Sequence, residues 1–211
     1  MKHLFSVLAL ASVFYACTNH SAGGDTPGAD TAASAATTAP ADSTGAADSS
    51  DHVFFPVADF IGGQIKMVDS LKPPLTKSVT IGGKTTPMTL GDAEFRALAS
   101  AFRRPDINDP ALKKLYKETN YADQSIPSVV FTYTSTDPST EIRKIDVIIQ
   151  PDPVRNDKVR SIYIEKEKTS GDTALHQKLY WRADHNFMIV TEKQVGKTLL
   201  PAEQVKVIWN P

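Results

Sequence analysis

The sequence predicts an α+β fold: a roughly six-stranded antiparallel meander sheet packed against amphipathic helices, with a small N-terminal helix and a β-hairpin ahead of it. Three observations predict it. In 54–71 and again in 92–102, apolar residues recur at spacings of three and four, the signature of helices with one buried face. From Ser128 onward the period falls to two, which suits strands with one dry and one wet side. Short polar turns such as Asp137-Pro138 and Ser170-Gly171-Asp172 separate those runs, as an antiparallel meander requires.

The elements follow in order. Phe54, Val57, Ile61, Ile65, Val68 and Leu71 mark the first helix; Pro56 suits its first turn and Pro73-Pro74 end it. Gly62-Gly63 weaken that helix by roughly 1 kcal/mol each relative to alanine. The runs 75–81 and 84–90 flank Gly82-Gly83, which predicts a type I′ or II′ hairpin. Pro87 cannot donate to a ladder, so its strand belongs at an edge. Asp92 is positioned to cap a second helix whose Phe95, Leu98, Ala99 and Phe102 share a face, and which stops before Pro105. Asp109-Pro110 reads as an N-cap followed by proline at the first helical position, with Leu112, Leu115 and Tyr116 as the apolar face. Six strands are expected at 129–134, 142–150, 159–168, 175–182, 187–193 and 204–210. On the fourth, Leu175, Leu179 and Trp181 face one way, while His176, Lys178, Tyr180 and Arg182 face the other.

Ahead of this domain the composition changes. Lys2 is followed by the apolar residues Leu4, Phe5, Val7, Leu8, Leu10, Val13, Phe14 and Tyr15, then the small Ala16 and the single cysteine, Cys17. A positive start, a short apolar run and a small residue before the cut describe a secretory signal peptide over 1–16. The run is too short to cross a bilayer of about 30 Å as a helix. The residues Phe14-Tyr15-Ala16-Cys17 resemble a bacterial lipobox, and the resemblance implies a lipoprotein whose Cys17 is lipidated. Anchoring through acyl chains is firm when two or more are attached, at about 0.8 kcal/mol per buried CH₂. The alternative is an ordinary secretory signal with a chance cysteine. Thr18-Asn19-His20-Ser21 has no aspartate after the cysteine, which by the same resemblance favours the outer membrane, and no acidic cluster like the surface-export signals of some lipoproteins, which favours the periplasmic face.

After its cysteine the segment 17–52 is almost pure Ala, Thr, Ser, Gly and Asp, with Pro27 and Pro40, and has no large apolar side chain, so it reads as a disordered tether. Within it, Asp30-Thr31-Ala32 and Asp42-Ser43-Thr44 resemble periplasmic O-glycosylation acceptors, as does Asp172-Thr173-Ala174 later; the resemblance would put glycans on Thr31, Ser43 and Thr173. Chance in a biased composition is the competing account. The rest, 53–211, is one globular domain of about 160 residues, enough for a real core. The whole chain carries −1; the domain, without Lys2 and the tether aspartates, carries about +3, too little to argue for nucleic acid.

Searches for chemistry return little. With Cys17 acylated no thiol remains for a disulfide, a zinc-thiolate site or a nucleophile. Gly83-Lys84-Thr85 and Gly196-Lys197-Thr198 imitate the end of a P-loop, but Ser78 and Thr191 stand where its first glycine belongs, so both read as turns. His176 and His185, with Asp184, could form a metal site only if folding joined them; a solvated strand residue and a turn residue is the simpler reading, and no metal or other cofactor is expected. Glu165 and Glu167 share a strand face and alternate with Lys166 and Lys168, which reads as a solvated edge. Tyr163, Tyr180, Trp181, Phe187 and Trp209 could line a groove or fill the core. The mixed face bearing Lys178, Tyr180 and Arg182 is the candidate binding surface.

The expectation is therefore a non-enzymatic binding or assembly module, held at the membrane through Cys17 and meeting an envelope protein, glycan or lipid. The layout and the closing Val207-Ile208-Trp209-Asn210 resemble envelope lipoproteins of Gram-negative bacteria, a resemblance that brings no activity with it. One alternative is a lipid or lipoprotein carrier, which resembles the half-barrel carriers of the envelope and demands an apolar cavity. The other is an envelope glycan hydrolase, which demands two convergent carboxylates about 5–10 Å apart.

Overall fold

The computed structural model describes residues 53–152, 154 and 157–209. The signal peptide, Cys17, the tether with Thr31 and Ser43, and Asn210 lie outside the described residues.

The first helix, α1 (Val57–Leu71), ends at Lys72, which takes the left-handed conformation with φ 48° and returns its N–H to the Val68 carbonyl. The hairpin of β1 (Thr76–Ile81) and β2 (Lys84–Thr89) turns on Gly82 and Gly83 at φ 55° and 80°, the positive pair that a type I′ turn needs. In α2 (Asp92–Ser100) the N-cap is Gly91, and Asp92 is the first helical residue without a capping bond, which corrects its expected role. In α3 (Pro110–Lys113) Asp109 does cap: its side chain accepts the Ala111 N–H at 2.9 Å. The strands β3 (Tyr116–Asp123), β4 (Ser128–Ser135), β5 (Ile142–Gln150), β6 (Lys158–Ser170), β7 (Thr173–Arg182), β8 (Asn186–Val195), β9 (Thr198–Leu199) and β10 (Glu203–Ile208) follow.

All ten strands belong to one antiparallel sheet in the order β2-β1-β10-β8-β7-β6-β5-β4-β3, with β9 paired to the end of β8. This overturns the expected six-stranded sheet packed on amphipathic helices: the described residues are mostly β, with only three short helices among them. Two causes account for the difference. The hairpin is not a separate unit, because β1 pairs along its whole length with β10, from Thr76↔Ile208 to Ile81↔Glu203. In addition, β3 is a polar edge strand with no alternating pattern, and Tyr116, expected on a helix, is its first residue.

The core lies on one sheet face. Register aligns Tyr133, Ile145, Ile164, Leu179, Ile189 and Val205 in one row, and Phe131, Val147, Ile162, Trp181, Phe187 and Val207 in the next. Val57, Ile61 and Val68 of α1 and Phe95 and Ala99 of α2 join the same buried cluster. At its centre Trp181 stacks on Phe187 at 5.2 Å and meets Trp209 and Phe102 at 5.1 Å each. Tyr133 ties the start of the domain to the sheet: its hydroxyl accepts the Phe55 N–H at 3.0 Å, and burial together with the Glu118 carboxylate pushes its phenol well above the usual tyrosine range.

Candidate functional site

The opposite sheet face carries the predicted surface. Register places Asp146, Tyr163, Tyr180, Met188 and Lys206 in one row across β5, β6, β7, β8 and β10. On either side run Lys144, Glu165, Lys178, Val190, Gln204 and Ile148, Ser161, Arg182, Asn186, Ile208. Lys178, Tyr180 and Arg182 therefore do share one face, as their alternation with Leu179 and Trp181 requires. The five strand aromatics divide between the two faces: Trp181, Phe187 and Trp209 are buried in the core, whereas Tyr163 and Tyr180 are half-buried outside.

The charges on this face are unevenly matched. Asp146 accepts from Thr132 Oγ1 at 2.7 Å and pairs with Lys144 at 2.8 Å, a contact that raises the Lys144 ammonium above its usual range. Glu165 accepts from the Tyr163 hydroxyl at 2.8 Å, and burial, then this carboxylate, pushes the phenol up. Glu167 pairs with Arg143 at 2.7 Å, and Glu192 lies 3.5 Å from His176 Nδ1. Lys178, Arg182 and Lys206 have no side-chain hydrogen bond or ion pair with another described residue. Among the described residues three cations without an ion pair, Lys178 standing opposite Glu165 in register, thus surround a strip of Tyr180, Met188 and Val190. Sequence reading found Lys178 and Arg182 through the period of two; it missed Lys206, which reaches this face only because β10 sits beside β8.

A second feature was not legible in the sequence. An open cleft of about 560 Å³ lies between the start of α1 and the connection from α2 to α3, lined by Asp59, Arg103, Arg104, Asp106, Asp109 and Glu141 with Ala58, Pro105 and Leu112. Its carboxylates come from positions far apart in the chain. Three of them are engaged in holding the fold: Asp106 accepts the Asn108 N–H at 3.0 Å, Asp109 caps α3, and Glu141 Oε1 stands 3.6 Å from Lys166 Nζ. Arg103 Nε donates to the Ala58 carbonyl at 3.1 Å. Lys166 lies beneath this wall, only 4% exposed, donating to the Ala101 carbonyl at 2.7 Å and to the Arg104 carbonyl. Burial pushes its ammonium below the usual lysine range against the opposing pull of Glu141. The strand reading that put Lys166 on a solvated edge is thus corrected: it is on the core face, in register with Gln177.

The remaining candidates separate. His176 stands in the body of β7, opposite Glu167 and Glu192, whereas His185 is in the β7–β8 turn with Nδ1 2.8 Å from the Asp184 carbonyl. Asp184 itself, at φ 61°, exchanges two hydrogen bonds with the Gln64 amide, 2.7 and 2.8 Å, and pairs with Lys158 at 2.8 Å. Burial raises that carboxyl, but the bonds from Lys158 and Gln64 outweigh it and hold it below the usual range. Among the described residues no group of three metal-ligating side chains occurs. Lys84 and Thr85 are strand residues of β2, and Gly196, at φ 58°, lies in the turn before β9. Thr173 is half-buried at the start of β7 with its hydroxyl 3.3 Å from Asp172 Oδ1. The space that a lipid carrier would need between helices and sheet is filled by the ring cluster of Phe95, Phe102, Trp181, Phe187 and Trp209.

Comparison of the chain with protein-family models, with curated proteins and with solved structures finds no match.

Proposed function

We propose that this chain is an outer-membrane lipoprotein, anchored through Cys17 and spaced by 18–52, whose folded body is a non-enzymatic binding module of the envelope. The outer sheet face is its binding surface, and the partner presents acidic groups around an apolar centre. One observation carries this reading: among the described residues Lys178, Arg182 and Lys206 form no ion pair or side-chain hydrogen bond, on a face where the acids of the central rows, Asp146 and Glu165, are each hydrogen-bonded. Unpaired cations beside half-buried Tyr180 and Met188 fit a complementary acidic surface, because charge steers encounter and the aromatic supplies contact area.

The test uses a photo-crosslinking amino acid at Tyr180 in the full chain, in cells, with the same group at Thr85 on the far edge of the sheet as control. A discrete adduct at Tyr180, absent at Thr85 and lost when Lys178→Glu and Arg182→Glu are combined, is the expected result. Equal labelling at both positions, or an adduct indifferent to charge reversal, overturns it. The anchor is tested apart from the face: clickable palmitate should label the chain, and Cys17→Ser should abolish both the label and its place in the membrane pellet.

A further inference from the structure

A sheet of this width has two edges, and they differ. At one, β2 carries Pro87, which has no N–H to offer a further strand. At the other, β3 runs Tyr116–Asp123 without proline, glycine or bulge, in unbroken register with β4 from Tyr116↔Ser135 to Asp123↔Ser128. It is long for an edge strand and largely exposed, with Tyr121 at 57%. An edge with no proline or bulge to interrupt it presents a row of backbone donors and acceptors that a second strand can complete where its side-chain charges are matched.

We propose that the occupant is a second copy of this chain, its β3 antiparallel to the first about a two-fold axis at Asn120. Geometry limits the choices. A two-fold perpendicular to the sheet keeps each side chain on its own face, and successive residues alternate faces, so each residue must oppose one at an even separation from it. An axis at Asn120 sets Lys117 opposite Asp123 of the second copy, twice over, and Thr119 opposite Tyr121. An axis at Thr119 sets Lys117 against Tyr121 and matches no charge. An axis at Glu118 opposes that carboxylate to itself, and one at Tyr121 leaves Lys117 unpaired. Only the Asn120 axis joins opposite charges and a β-branched–aromatic pair, the cross-strand combinations that stabilise antiparallel ladders.

The local structure suits this register. Lys117, Thr119, Tyr121 and Asp123 all lie on the outer face, in register with Thr134, Thr132, Val130 and Ser128. Lys117 is exposed and has no side-chain partner among the described residues. Asp123 receives the Ser125 side chain and backbone on Oδ1, which lowers its carboxyl below the usual range and keeps it ionised for Lys117. Pairing would carry the outer face across the axis into one continuous sheet.

Two measurements on the full chain test the proposal. Single cysteines at Thr119→Cys, Asn120→Cys and Tyr121→Cys are oxidised in the envelope, with the wild-type chain as the background. Only residues directly opposed across a ladder come close enough for a disulfide, so dimer should peak at position 120. Sedimentation in detergent should show a dimer that Lys117→Asp weakens about tenfold or more, since two attractive pairs become two repulsive ones. A monomeric wild-type chain, crosslinking no stronger at 120 than at its neighbours, or a dimer unchanged by Lys117→Asp would each overturn the proposal.

Discussion

Replacing Lys166 by methionine should destabilise the domain by about 2 kcal/mol, with the value set by two opposed effects. The ammonium donates to the Ala101 carbonyl at 2.7 Å and to the Arg104 carbonyl, and α2 has no basic residue in its own last turn. Lys166 therefore supplies from β6 the positive charge that the carbonyl end of that helix favours. Losing two charge-assisted bonds costs about 1.5–3 kcal/mol each. Against this, methionine removes the cost of keeping a charge at 4% exposure, which is several kcal/mol in a dry site. Glu141 is not stranded by the change, because its side chain is 38% exposed and rehydrates. In urea the midpoint should fall by about 1 M, taking a slope of about 2 kcal/mol/M. The pH dependence has a definite sign. The native pKa of Lys166 is depressed, so between that value and about 10.5 the unfolded chain binds more protons and stability rises with pH. The wild-type-minus-Lys166→Met difference in stability should therefore increase as the pH rises toward about 10.5, the unfolded lysine value. A variant within about 0.5 kcal/mol of wild type with a flat difference curve would show that the buried ammonium neither holds α2 nor resists burial.

Other predictions follow from single contacts. Gly63 is exposed inside α1 and a Cβ there meets nothing within 4 Å, so Gly63→Ala should stabilise the domain by about 1 kcal/mol in thermal or urea unfolding; a loss would mean that α1 is not helical there. Tyr133→Phe removes the acceptor of the Phe55 N–H and the partner of Glu118 while keeping the ring, and should cost about 1–3 kcal/mol; amide exchange at Phe55 should quicken along with it.

The parts of the fold that were legible in the sequence are those set by neighbours along the chain. Gly82-Gly83 announced a positive-φ hairpin because two consecutive left-handed residues leave little choice but glycine. Asp109-Pro110 announced α3 because cap and first turn are local. Alternation from Leu175 to Arg182 separated Trp181 from Tyr180 and so located the outer face, though not its third cation, which arrives through the long-range pairing of β10 with β8. The polar β3 gave no alternation, because an exposed edge buries neither side of most of its residues. The cleft was unreadable for the same reason as the β1–β10 pairing: Asp59 and Glu141 meet only after folding.

Lys166 shows where period alone stops. Alternation says that β6 has two faces, and it correctly groups Ile162, Ile164 and Lys166 on one of them. It does not say how far along the strand the apolar cover extends. That limit is set by the C-cap of α2 and the connection after it, whose Ala101 and Arg104 carbonyls accept from Lys166 and replace apolar contact. The neighbouring strands respond in register: Gln177 and Thr191 continue the Lys166 row and bond to each other at 3.1 Å, where Leu179 and Ile189 one step along are apolar. The core thus ends in a polar row across three strands, and a lysine there is buried because carbonyls at the end of α2 and just beyond it, rather than water, solvate it.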